Sequence, residues 1–297
     1  MRHIAGISPT KSQSAMEYLM TYGWAILAIA IVMVSLYSLG IFNLGGLAPT
    51  AIPGSCQVIR TAAEVGLAGQ CNNLIPKYVS KFGGSTTQYI NVTQKSFKIN
   101  TYATISAWIY PVGLAGSTWY TVTDNIWGVQ HGGWQIILQP TLMRCSPSNS
   151  TGYDPAQVTT TFSNNTWYFI VCRFNNTKIM EYKNNNLVGS MSITHTIQNP
   201  TQNTFIGSSD NLGNPTSTFS GYIANLQIYN TSLDNASITS LYREGIGGSP
   251  IDLQHLVAWW PLNGNANDYS GYNNNGNATK AVAWSANWQP GYTAPST

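Results

Sequence analysis

The chain has 297 residues, enough for one large domain or two modest ones, and 8% of them are charged against 43% hydrophobic. Ordinary soluble domains carry about 25% charged residues, so the polar surface must be built from Asn, Thr, Ser, Gln and Tyr, a composition that points away from the cytosol and toward a sheet-rich extracellular protein. The formal net charge of +3 is spread thinly, with no Lys or Arg run, which excludes a nucleic-acid-binding stripe.

No residue from Tyr18 to Leu44 is charged. As a helix, about 27 residues span about 40 Å, more than the ~30 Å hydrocarbon core, and the run is too long for a cleaved secretory signal of ~7–15 apolar residues. Arg2 and Lys11 precede it and the next basic residue is Arg60. The positive-inside rule then leaves the N-terminus in the cytoplasm and everything after Leu44 outside. Glu17 stands near the start of this run. It either sits at the headgroups, favoured by the helix dipole, or has a function inside the apolar environment.

The stretch KSQSAMEYLMTYGWAILAI resembles the class III signal peptide of archaeal type IV pilin-like proteins. The resemblance implies a cut by a prepilin peptidase between Ser12 and Gln13, with Ser12 standing where that family commonly has Gly. Glu17 then becomes the fifth residue of the mature chain and pairs with the Gln13 ammonium of a neighbouring copy, offsetting two desolvation costs. The implied product is a homopolymer, held in the membrane before assembly, with the apolar helix in the filament core. Ala15, Gly23, Ala25, Ala28 and Ala30 are small enough for close helix approach.

The expected organisation is a leader at 1–12, a transmembrane or polymerisation helix at 13–44, a Gly/Pro-rich linker at 45–75 and a body at 76–297. In the body, short alternating runs separated by Asn, Gly, Pro and Ser clusters predict strands. They fall at 88–93, 103–110, 118–123, 134–139, 158–162, 167–174, 179–183, 187–193, 204–207, 222–229, 257–262 and 278–284. In ATISAWIY, Ile105, Ala107 and Ile109 share one face and Ser106, Trp108 and Tyr110 the other. Such a series predicts two packed antiparallel sheets. One short helix is expected near Ile238–Arg243, capped by Asp234 or Asn235 and ended by Gly245.

YINV, YATISAWIYP, NTWYFIVCRFNNTKIMEYKNNNLVGS, NTFIGSS and FSGYIANLQIYNTSLDNASITSLYREG, in that order over 80–246, resemble the laminin G-like, concanavalin A-type jelly roll. LVAWWPLNGNANDYSGYNNNG, Leu256 to Gly276, resembles a block that this family normally carries first. It is either a truncated second domain or the roll's own first strand moved to the end, a circular permutation. The second is preferred, because too few residues follow Gly276 for another core and exposed Trp259 and Trp260 would need covering. The fold expected is thus mainly β: an N-terminal long α-helix followed by an antiparallel jelly-roll sandwich.

Four cysteines without a CxxC pair argue against a zinc site, and their even number in an exported chain suggests disulfides. Of three connectivities, nearest neighbours favour Cys56 with Cys71 and Cys145 with Cys172; free buried thiols are the alternative. Asn91, Asn149, Asn164, Asn175, Asn230, Asn235 and Asn277 head glycosylation sequons.

No predicted strand carries an acid pair at i, i+2 or i, i+4, as a jelly-roll glycosidase would need, and His131, His195 and His255 are isolated from Ser or Cys nucleophiles. Glu181 reads as a solvated strand residue. No enzyme is expected and no cofactor, with calcium the one metal the family resemblance raises. Asn263, Asn265, Asn267 and Asp268 offer oxygens, but the loop has a single carboxylate, and Gly83 and Thr87 stand where the family often has Asp. An Asn-rich turn is the preferred reading. Trp119, Trp127 and Trp134 are candidates for stacking on sugars, with packing the expected role of each. The leading reading is a pilin-like surface filament subunit with an outward, glycan-facing or adhesive jelly roll. The alternatives are a monomeric membrane-anchored lectin and an exported carbohydrate-active enzyme.

Overall fold

The computed structural model describes residues 13–38, 50–72, 74–93, 96–126, 131–211, 214–279 and 281–295, with the side chains of 13–19, 36–38, 210–211 and 214–215 outside the description. The chain divides into two compact units, Met1–Ala48 and Pro49–Thr297. The first contains a helix from Gln13 to Ser38. Its described side chains, Met20 to Ser35, are all exposed, apolar ones included. Among the described residues no helix is long and apolar enough to cross a membrane, and for this one only that shorter stretch is described. The leader, Ser12, the side chains of Gln13 and Glu17, and the end of the expected helix at 39–44 lie outside the described residues.

The second unit is a sandwich of two eight-stranded sheets. In the first sheet the order is Asn186–Ser192, Lys178–Lys183, Tyr168–Phe174, Ala103–Pro111, Ser220–Tyr229, Val79–Gly83 and Ala283–Ser285, all antiparallel. In the second it is Gly152–Tyr153, Leu142–Asn149, Gly133–Gln139, Tyr120–Asp124, Thr204–Ile206, Ile90–Val92 and Asn277–Ala278, with Ala156–Thr159 also on Leu142–Asn149. Alternation decides which residues meet between the sheets. Ile105, Ala107 and Ile109 face Trp134, Ile136, Leu138 and Met143 in one buried cluster. Phe97 stands edge-on to both Trp134 and Trp260 at its centre.

The C-terminal block is part of the sandwich. Ser220–Tyr229 bulges at Asn225, whose φ of 51° is left-handed, a conformation Asn tolerates better than most residues. The bulge divides one edge between two partners: Ser220–Ile223 pairs with Val79–Gly83, and Leu226–Tyr229 with Leu256–Trp260. All five residues of Leu256–Trp260 are buried, so Trp259 and Trp260 leave no apolar patch. Asn225 fixes the junction: its amide donates to Gly248 O (2.9 Å) and its Oδ1 accepts from Trp259 Nε1 (2.8 Å).

The expected linker is folded where it is described. Cys56–Arg60 and Val65–Gly69 form a hairpin closed by the Cys56–Cys71 disulfide, and Thr50–Ala51 pairs in parallel with Ile75–Pro76. The cause is anchorage: Arg60 donates to the carbonyls of Ser270, Leu253 and Leu256, and Asn263 Nδ2 donates to Ala51 O at 2.7 Å. Among the described residues the one helix of the body is Asn235–Glu244, capped by the Asp234 side chain on Ser237 N and ended at Gly245, as expected from the sequence. Together with Trp288 it covers the outer face of the first sheet, burying Trp108, Trp167 and Phe169 in a second cluster.

Candidate functional site

The outer face of the second sheet is built differently. Because Ile136, Cys145, Ile206 and Ile90 point inward, their strand neighbours point out, while a bulge in Tyr120–Asp124 turns both Val122 and Thr123 inward and leaves Thr121 and Asp124 on the outer side. Register then aligns two outward rows. One runs Asn277, Asn91, Phe205, Asp124, Gln135, Ser146. The other runs Thr121, Ile137, Arg144, Gln157.

Arg144 is the centre of the second row. Its Nη2 donates to Gln157 Oε1 at 2.9 Å, and its guanidinium carbon lies 4.1 Å from the centroid of the half-exposed Trp119 ring. Such a stack is worth about 0.5–2 kcal/mol, depending on desolvation. In the first row Asp124 is buried, and its carboxylate accepts from Ile126 N (3.0 Å), Gln135 Nε2 (3.3 Å) and Ser209 Oγ. Buried polar atoms normally have partners. Yet of eight buried side-chain N and O atoms without one among the described residues, four stand on this face: Asn91 Oδ1, Thr121 Oγ1, Arg144 Nε and Ser146 Oγ. These four atoms are themselves buried, so what the face presents outward is the half-exposed Trp119 ring with the Arg144 guanidinium against it.

The electrostatics follow. Burial draws the Arg144 pKa below its ordinary value, opposed by the nearby Tyr153 and Glu181. Glu181 corrects an expectation. It is not a solvated strand residue: it faces inward, buried, accepting from Cys145 N at 3.3 Å, with Oε2 unpartnered. Its register partner is Cys172, whose side chain is interior, so Glu181 must be interior too. Burial pushes its carboxyl up to about 9, against the Cys145 amide and the Arg144 charge. It is neutral at pH 7 and supplies Arg144 with no counter-charge. The ion pairs among the described residues are His195–Asp154 and His255–Asp252, so Arg144 has no acid partner there.

The other expected site residues are dispersed. Both disulfides join the expected cysteines, Cys56–Cys71 and Cys145–Cys172. Of the three tryptophans, Trp134 is wholly buried core, Trp127 lies outside the described residues, and Trp119 belongs to the face above. Among the sequons, Asn164, Asn235 and Asn277 are exposed, Asn91, Asn175 and Asn230 are half-buried, and Asn149 is buried in a turn whose amides its Oδ1 caps.

In the Asn-rich loop the oxygens serve the fold. Asp268 Oδ1 accepts from Trp259 N and Ser270 N, and its Oδ2 from Ser270 Oγ and Asn274 N. Asn263 Oδ1 accepts from Tyr78 N, and Asn265 Oδ1 from Asn267 N. Among the described residues no three His, Cys, Asp or Glu gather as a metal site would require. A separate cleft of about 410 Å³, counting space open to solvent, lies between Ile52–Ser55, Ile246, Trp259 and Tyr269. It is mostly apolar, and its two amide side chains, Asn225 and Asn263, are hydrogen-bonded within the fold.

Arg144 was missed by sequence reasoning because its strand, Leu142–Asn149, was missed. Pro147 lies inside the strand, and a strand proline lacks the ladder N–H. Here the proline falls where the neighbouring strand is interrupted, between partners Ala156–Thr159 and Gly152–Tyr153. The available signal was Met143 and Cys145 flanking a lone arginine, which puts Arg144 on the opposite face.

A model of the concanavalin A-like lectin/glucanases superfamily matches residues 83–239, and the chain belongs to that superfamily. No curated protein matches the sequence significantly. Among solved structures, a Bacteroides ovatus protein named for a proposed carbohydrate-binding role is 12% identical with a TM-score of 0.53, the similarity covering 76% of this chain and 65% of that one. The heptameric SAP-like pentraxin of Limulus polyphemus is 14% identical with a TM-score of 0.50, covering 70% of this chain and 94% of that one. At these identities the likeness is one of fold.

Proposed function

We propose that the chain is a cell-surface glycan-binding protein, with the jelly roll as binding module and the N-terminal helix as membrane tether and filament-forming segment. The observation that carries the binding role is the half-exposed Trp119 ring stacked on the half-buried Arg144 guanidinium. Sugars offer apolar ring faces and many hydroxyls, and this face offers an aromatic platform and a guanidinium donor. The role is binding rather than catalysis, since Glu181 faces the interior and Asp124 is occupied by three donors. The Leu256–Trp260 strand is read as the roll's own strand carried at the other end of the chain, which its pairing inside the first sheet supports.

The tether role rests on the helix. Its exposed side chains include Met20, Trp24, Ile29 and Val34, and a helix apolar on all sides requires lipid or other helices around it. The pilin-like processing motif favours other copies as the final partners, with a prepilin peptidase acting before Gln13 and the body outside the cell. The test is a glycan array probed with full-length protein in detergent, together with N-terminal sequencing of native protein. Glycan binding lost in Trp119→Ala and a mature start at Gln13 are expected. An array without any hit overturns the binding role, and a start at Met1 overturns processing.

A further inference from the structure

We propose that the ligand of this face is an acidic sugar, recognised through its carboxylate by Arg144. This rests on the glycan-binding reading above and names the class of glycan.

The argument is one of charge accounting. A half-buried guanidinium without an anion is costly, because desolvation is not offset by a Coulombic partner. Arg144 is in that position. Its hydrogen bond goes to a neutral amide, Gln157, and its ring contact to Trp119, while Nε has no partner among the described residues. The acid behind it, Glu181, is held neutral by burial inside the sandwich. The other carboxylate on the face, Asp124, sits in the adjoining row and is taken up by Ile126 N, Gln135 Nε2 and Ser209 Oγ. An arginine kept charged, half-desolvated and unpaired beside an aromatic ring suits a planar carboxylate, which guanidinium binds in a fork geometry that a neutral hydroxyl cannot reproduce. The half-exposed Trp119 ring then receives the sugar face.

A carboxylate-bearing sugar reaches a cell surface either as a uronate or as a nonulosonate such as sialate, and the shared chemistry is the anionic carboxylate on a pyranose. The experiment is calorimetric titration of the full-length chain in detergent with matched pairs: tri-galacturonate against its methyl ester, and 3′-sialyllactose against lactose. At least one acid is expected to bind at least tenfold more tightly than its neutral partner. That preference should vanish in Arg144→Gln and be partly kept in Arg144→Lys, with the melting temperature unchanged within a few degrees. Preference for the uronate pair identifies that source, and for the sialyl pair the other. Equal binding of acid and neutral partners, or hits confined to neutral sugars on the array, overturns the acidic class while leaving glycan binding intact. No binding to any sugar overturns the underlying reading and this proposal with it. A preference for acids that survives Arg144→Gln also overturns it, because the charge would then be read elsewhere.

Discussion

The two outer faces of the sandwich both carry aromatic side chains but use them differently. On the first sheet Trp108 stacks on Tyr242 of the covering helix, and Trp167 Nε1 donates to Trp288 O of the C-terminal segment. The face is sealed, and burial of its rings is worth stability. On the second sheet Trp119 remains half-exposed over Arg144, whose Nε lacks a partner among the described residues. A single jelly roll thus converts one face into core and leaves on the other a half-exposed aromatic ring stacked on a cation. Function is to be sought on the face where stability has been left unclaimed.

The severest test removes the element that joins both clusters. Deleting every residue after Ile251 takes away the wholly buried Leu256–Trp260 strand and Trp288. The body should lose cooperative thermal unfolding by circular dichroism; an unchanged melting temperature would make the block an appendage. Next, Trp108→Ala on the sealed face should cost about 3–5 kcal/mol in denaturant titration, whereas Trp119→Ala should cost under about 1 kcal/mol while abolishing glycan binding. Similar stability losses at both positions would erase the distinction between the faces.

Between the faces lies Glu181. Its carboxyl ionises near 4.5 when unfolded and near about 9 when folded. In that window the unfolded state binds fewer protons, so rising pH favours unfolding. The stabilising contribution is complete below 4.5, falls by about 1 kcal/mol per pH unit at the steepest, and is lost by about 9. Glu181→Gln should flatten this profile in pH-dependent melts; an identical slope in the variant would remove Glu181 as its cause. The smallest effect is expected at the lid of the sealed face. Asp234→Ala removes the cap on Ser237 N and should lower the melting temperature slightly, without changing glycan affinity. A change in affinity would mean that the two faces communicate.

Much of the sandwich was legible in the sequence because alternation is a local signal. ATISAWIY assigned Ile105, Ala107 and Ile109 to the interior and Trp108 to the opposite face, and the helix at 235–244 announced itself through Asp234 and Gly245. The disulfide pairs followed from proximity in the chain. What escaped depended on distant partners. The stretch 50–75 looks like a linker until Arg60 and Asn263 are seen to hold it to residues some 190 to 210 positions later. Leu142–Asn149 was hidden by Pro147, whose missing donor is harmless only because its neighbour strand breaks there. Glu181 looked solvated because its burial is set by register with Cys172, which composition does not reveal. Arg144 was lost with its strand, and the candidate site with Arg144.

The attachment of the hairpin has a consequence for biosynthesis. The first residues of the body, Ala51 and Pro76 among them, are held by Asn263 and by Trp288 Nε1, and Arg60 by carbonyls at 253, 256 and 270. A ribosome makes the held parts first and the holding parts last. The root of the body must therefore wait, open, until nearly the whole chain has been delivered. Nascent chains arrested before residue 250 should leave that root accessible to protease, and completion of the last segment should close it.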